Sequence, residues 1–196
     1  MFSVKIGVFG GGNCGCIHIL NKYVNETYNE SEKSAPMNYA KSIKINNEDI
    51  LIQFVYISDQ DRYMVLYRHF YEGLNGMTFV YNVYLRYTFD LIKDWIKEFS
   101  ENIDLSTIKI MIVSHQMKKG KEEEKECVSK EEWEELARKL GWKFYEVNAK
   151  SGMNINESIN VLINSIIMPR NKMKMKMDTL SLKKAPHHHK KKCIIF

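Results

Sequence analysis

Gly10-Gly11-Gly12-Asn13-Cys14-Gly15-Cys16-Ile17 follows directly on the apolar run Val4–Phe9. Strand, glycine turn and helix start are the ingredients of a phosphate-binding loop, GxxxxGK[ST]. In that pattern backbone N–H groups cradle phosphates, the lysine reaches the outer phosphates and the hydroxyl ligates Mg²⁺. Gly10 and Gly15 keep the frame. Cys16 stands at the lysine position and Ile17 at the hydroxyl position. The same glycines satisfy GxGxxG at Gly10, Gly12 and Gly15, the dinucleotide fingerprint. That reading requires a helical crossover, then a parallel strand ending in an acid. A third reading is a glycine turn that merely packs a helix on a strand.

The strands further along separate these readings. Ser42–Ile45 and Ile50–Ile57 read as strands joined by the tight turn Asn46-Asn47-Glu48-Asp49, hence antiparallel. Met77–Val83, Ile108–Val113 and Lys143–Val147 read as further strands. Helices are predicted over about 16–26, over 61–74, and through Phe89, Ile92, Trp95, Ile96 and Phe99 at helical spacing. Ser129-Lys130-Glu131-Glu132 is a capping box ahead of Trp133, Leu136, Ala137 and Leu140. Asn154 to Glu157 caps a last helix with Ile155, Ile159, Leu162, Ile163 and Ile166 on one face, and Pro169 is expected to stop it. Strands alternating with helices give an α/β domain with a mostly parallel sheet and one hairpin.

Charge divides the chain. Residues 170–196 hold nine Lys/Arg and one acid, a balance of +8, so residues 1–169 carry −3 of the net +5. A mildly acidic body is not a nucleic-acid reader, and the tail is a basic arm. Four cysteines at 14, 16, 127 and 193 are too few and scattered for a disulfide framework and suit a reducing compartment. Cys14 and Cys16 form CxC without the partners a zinc site requires, so they read as buried or loop thiols. The Glu122–Glu124 run, in a charged insert at Lys118–Lys125, reads as a solvated loop or a partner surface. Two domains are expected: a globular body over 1–169 and a flexible polybasic tail over 170–196.

The tail ends in Cys193-Ile194-Ile195-Phe196, a CaaX box whose terminal Phe favours geranylgeranyl on Cys193. One prenyl chain anchors weakly and needs a second signal. The lysines supply it at about 1 kcal/mol per basic residue near an anionic membrane surface. The expected location is the cytoplasmic face of a membrane.

Further motifs stand in order: Gln60-Asp61-Arg62-Tyr63, Phe70-Tyr71-Glu72-Gly73, Phe79 to Val83, Thr88-Phe89 with Trp95, Val128 to Glu132, Leu136-Ala137, and Glu146-Val147-Asn148-Ala149-Lys150-Ser151-Gly152. In this order the chain resembles a small GTPase of the Ras superfamily, in its Ras and Rab branches, from about residue 3 to 168. The resemblance implies a P-loop NTPase-like G domain: a six-stranded, mostly parallel sheet with one antiparallel hairpin and helices on both faces. It implies GTP/GDP and Mg²⁺ as ligands, and effector or regulatory proteins as partners through segments 29–40 and 57–75.

Carried over by position, the phosphate loop is Gly10–Ile17, with Asn13 inside it, and Tyr28 packs on the guanine edge. Ser34 is the nearest match to the Mg²⁺-ligating switch threonine. Tyr56 replaces the aspartate that holds Mg²⁺ through water, and Asp59 replaces the glycine that senses the γ-phosphate. Gln60 keeps the residue that orients attacking water; outside that setting it is a solvated glutamine. His115 to Lys118 occupy the base-reading motif, where Lys118 has only donors and cannot accept from guanine. Asn148, Ala149 and Lys150 retain the stretch whose backbone N–H meets the guanine oxygen. Losing four charge-assisted contacts removes about 6–12 kcal/mol, taking a picomolar site to tens of nanomolar at best. The expected function is a membrane-anchored Ras/Rab-like regulator with weakened or lost nucleotide handling. The alternatives are a divergent but active GTPase switch and, more distantly, a dinucleotide-binding protein.

Overall fold

The structure, a computed structural model, describes residues 2–32, 36–59, 72–117 and 128–183, the last twelve as backbone alone. Six strands form one sheet: β1 Phe2–Gly10, β2 Asn38–Ile45, β3 Glu48–Ser58, β4 Gly76–Asn82, β5 Lys109–His115 and β6 Lys143–Val147. Their spatial order is β2-β3-β1-β4-β5-β6. All pairings are parallel except β2 with β3. The described helices are α1 Cys16–Val24, α2 Arg86–Asn102, α3 Lys130–Leu140 and α4 Ile155–Lys183. The β2–β3 turn closes through Asn46 and Asn47, both at positive φ (51° and 63°), the two-residue geometry that matches strand twist. An antiparallel pair here removes the crossover a dinucleotide fold needs, and with it that alternative.

Side-chain alternation sorts the core into two faces. Phe9, Val55, Phe79, Tyr81 and Ile112 pack on one face with Phe89, Ile92 and Phe99 of α2. Trp133, Leu136 and Leu140 of α3 lie against the same cluster, partly buried. Their immediate neighbours in sequence, Val8, Phe54, Val80, Met111 and Val113, point the other way. They meet Ile19 and Leu20 of α1 and Ile159 and Leu162 of α4. Helices therefore cover both faces, and the central strands are apolar on both sides, as parallel strands must be.

Local caps follow the sequence in part. The Ser129 hydroxyl accepts from the Glu132 N–H at 3.4 Å, and Gly141 ends α3 in the left-handed conformation at φ 66°. Asn154 departs from the expected side-chain cap. Its amide donates instead to the Glu146 carbonyl at 2.9 Å, while its own carbonyl receives the Ser158 N–H at 3.0 Å. Pro169 does not stop the last helix, which continues to Lys183 with Pro169 inside it. A proline removes one N–H bond and crowds the preceding turn. The Met/Lys/Leu-rich sequence beyond it is made of good helix formers, so the rest of the ladder persists. The expected flexible tail thus begins as helix over 170–183.

The chain divides into two units, Met1–Ile166 and Ile167–Phe196. The first contains the whole sheet. The second is helical to Lys183. The expected helix over 61–74 lies mostly outside the described residues, and its last part, 72–74, is turn. The charged insert at Lys118–Lys125 also lies outside them.

Candidate functional site

The carboxyl ends of the parallel strands converge on one edge of the sheet, where open α/β folds bind ligands. Gly10–Ile17 leaves β1, Ser58 ends β3 with Asp59 just after it, Asn82 ends β4, His115 ends β5, and Asn148–Lys150 follow β6. Two adjoining cavities open there. One of about 340 Å³ is lined by Gly12, Cys16, His18, Glu30, Glu32 and Tyr56 among others. The second, about 310 Å³, is lined by Tyr28, Glu30, Tyr84, His115, Asn148 and Lys150, with Gln116 and Met117.

The loop's interior holds sulfur. Cys14 and Cys16 are both 1% exposed, with Sγ atoms 3.2 Å apart. A Cβ on Gly10 would collide with both sulfurs, so glycine is needed beneath them. Burial, together with the Cys14 thiol alongside, pushes the Cys16 thiol well above its ordinary value, so it stays neutral. A neutral thiol thus fills the position where a cation would face phosphate.

The loop's backbone is held from three sides. Gly12 N–H donates to Asp59 Oδ1 at 2.8 Å, and Tyr87 Oη donates to the Gly12 carbonyl. The Asn82 side-chain amide donates to the Asn13 carbonyl at 3.3 Å and the Met117 carbonyl at 2.9 Å. Asn82 is 1% exposed. The Asn13 backbone lies at φ 65°, which asparagine tolerates better than most residues.

His115 joins the loop to the segment after β6. Its Nδ1 lies 3.1 Å from the Cys14 carbonyl, and its Nε2 accepts the Ala149 N–H at 3.1 Å. A carbonyl only accepts and an N–H only donates, so the ring is neutral with its proton on Nδ1. Burial pushes the His115 imidazolium down to about 4; the Cys14 bond opposes this and His18 adds to it. Gly15, at φ 91°, passes directly over this ring, and a Cβ there would strike Nδ1. Farther out, Lys150 Nζ pairs with Glu30 Oε2 at 3.3 Å, both well exposed. The Tyr28 ring lies 5.5 Å from the His18 ring, centroid to centroid.

Thus Gly10, Gly12, Asn13, Gly15, Cys16, Ile17, Tyr28, Tyr56, Asp59, His115, Asn148, Ala149 and Lys150 gather at one edge. Ser34, Gln60, Lys118 and Cys193 lie outside the described residues. Asn82, Tyr87 and His18 were not legible as site residues. For Asn82 a signal existed: a polar side chain closing an apolar strand at the ligand edge.

A mostly parallel sheet with one antiparallel edge pair, and a glycine loop between β1 and α1, define a G domain of the P-loop type. The Ras family model matches residues 5–168, and the chain belongs to the Ras family of small GTPases. It is 25% identical to the Ras-related protein Rab-13 of Mesocricetus auratus, over 84% of this chain and 80% of that one. It is 25% identical to the Ras-related protein RabH of Dictyostelium discoideum, over 86% and 83%. With the Ras-related protein Rab-8 of Diplobatis ommata the identity is 32%, over 74% and 66%.

Proposed function

We propose that this chain is a Ras/Rab-like regulator that works through its surfaces, with backbone donors of its nucleotide site closed off by its own residues. The observation that carries this reading is the pairing of two backbone donors inside the chain: Gly12 N–H on Asp59 and Ala149 N–H on His115. By family resemblance these loops supply donors to phosphate and guanine. Here one already meets a carboxylate. The other belongs to a residue at 0% exposure and is met by an imidazole nitrogen.

GTP/GDP and Mg²⁺, which the family suggests, do not fit the residues present. The phosphate-side cavity carries Glu30 and Glu32 and no Lys or Arg among its described lining. At an effective dielectric constant of about 20, unit like charges about 4 Å apart repel by about 4 kcal/mol. Tyr56 stands where a metal-holding carboxylate would be, and burial keeps its phenol protonated. Among the described residues no group of three His, Cys, Asp or Glu could hold a metal ion.

In this reading the body spans 1–169 and segments 29–40 and 57–75 meet effector or regulatory proteins in trafficking or signalling. The tail, 170–196, holds the protein on the cytoplasmic face of an anionic membrane through geranylgeranyl on Cys193 and its lysines. Gentle purification, denaturation and assay of released nucleotide test the reading. An empty site with no response to millimolar Mg·GTP is expected. Stoichiometric GDP or GTP would overturn it in favour of a divergent but active switch.

A further inference from the structure

The phosphate-side cavity is acidic where a phosphate site is expected to be basic. Its described wall offers the carboxylates of Glu30 and Glu32, the Tyr56 phenol and the Ser58 hydroxyl. The nearby carboxylate of Asp59 already accepts from Gly12 N–H. Such a wall repels anions and attracts cations.

His18 is a second and independent observation. It lines the same cavity and is 7% exposed, yet neither Nδ1 nor Nε2 has a hydrogen-bond partner. Unpartnered buried nitrogens call for an explanation, and a missing ligand is one. A neutral imidazole keeps one nitrogen as an acceptor and the other as an N–H donor, and a ligand that brings a donor satisfies the first. The Tyr28 ring covers His18 from the same loop that carries Glu30 and Glu32. Rotation of the Tyr28 side chain, with the loop in place, would open the imidazole to the cavity that Glu30 and Glu32 line.

The donor set favours an organic cation over a metal. The described residues provide no three-ligand group for an ion. An ammonium group needs only scattered acceptors, and aromatic faces such as Tyr28 attract it.

We propose that this cleft binds a small organic ammonium ligand of the alkylamine or polyamine class. Glu30 and Glu32 are its counter-charges and His18 accepts one of its N–H groups. The inference rests on the reading that nucleotide phosphates do not fill the cleft. Glu30 now pairs with Lys150. An exposed pair of this kind is weak enough for a ligand ammonium to replace the lysine.

The test is calorimetric titration of the full-length protein with spermidine at near-physiological salt, where non-specific surface attraction is screened. The expected result is saturable one-site binding, weakened at least tenfold in Glu32→Gln and in His18→Leu. Lys150→Ala, which releases Glu30, is expected to tighten it. Glu32→Gln is nearly isosteric and in a partly exposed loop, so it keeps the test open if His18→Leu misfolds. Non-saturating heats, or equal affinity in wild type and Glu32→Gln, would overturn the proposal. A parallel titration with Mg·GTP separates the two levels. Stoichiometric GTP binding overturns the closed-site reading itself, whereas silence toward both GTP and spermidine overturns only the amine proposal.

Discussion

His115 Nε2 accepts the Ala149 N–H while Nδ1 of the same ring serves the Cys14 carbonyl, so one imidazole staples two loops 135 residues apart in sequence. The staple works only while the ring is neutral. A second proton would set an N–H against the Ala149 N–H.

That requirement makes stability depend on acid. The His115 value falls from 6.5 in the open chain to about 4 in the fold. The unfolded chain therefore binds a proton first as pH drops. The contribution is fully present above about 6.5, declines through the window between the two values and is gone below about 4. The gap corresponds to about 3 kcal/mol. Urea midpoints of wild type and His115→Gln, compared from pH 7.5 to 4.5, check it. The difference between them should shrink steadily with acid, and a constant difference contradicts the assignment.

Gly15 is coupled to the same ring. Gly15→Ala must place a methyl group against His115 at a positive φ, and a loss of about 2 kcal/mol or more is expected. In a His115→Ala background the steric share disappears and only the backbone strain remains. A double-mutant cycle by urea denaturation should therefore show coupling above about 0.5 kcal/mol. Strict additivity would mean that the ring and the glycine do not meet.

Asp59 is expected to act as a resident anion. Asp59→Ala frees Gly12 N–H and removes a negative charge from the mouth of the loop. The Gly12 amide resonance should then move on titration with inorganic phosphate in the variant and stay still in wild type. Equal responses in both would show that the carboxylate does not guard the amide.

Phe79 is the centre of the aromatic cluster, 0% exposed, with ring centroids 5.6 Å from Phe9, 5.9 Å from Phe99 and 5.9 Å from Trp142. Phe79→Ala should destabilise by about 3–5 kcal/mol, a large share of a typical 5–15 kcal/mol. Thermal unfolding followed by circular dichroism measures it. A change under about 1 kcal/mol would mean that the cluster collapses around the deletion.

Cys193→Ser should move the protein from the membrane pellet to the soluble fraction on cell fractionation. Unchanged partitioning would rule out the prenyl anchor.

The fold was legible because its signals were redundant. Glycines after β1, the Asn46-Asn47 turn, a Ser129 capping box and short apolar runs at the central strands all pointed to one architecture. Pro169 misled because a local penalty was read as a stop, although the residues beyond it favour helix. The site was legible only as a set of absences. Sequence showed that Cys16, Tyr56 and His115 differ from the family's residues. It could not show that Asp59 and His115 turn inward onto Gly12 and Ala149, because such pairing depends on strands far apart in the chain meeting at one edge. His18 was missed for the same reason: nothing about a histidine in the first helix turn tells whether its nitrogens find partners.

The bond from Gly12 to Asp59 has a consequence for timing. A ligand that stabilises a fold does so in proportion to its concentration relative to its dissociation constant. A carboxylate attached to the same chain has an effective concentration set by geometry alone, and it neither leaves nor is consumed. If the proposed function holds, a loop satisfied in this way would have no spent and recharged forms. It would keep no clock, and the duration of any signal the protein carries would be set by when it is made, placed and removed.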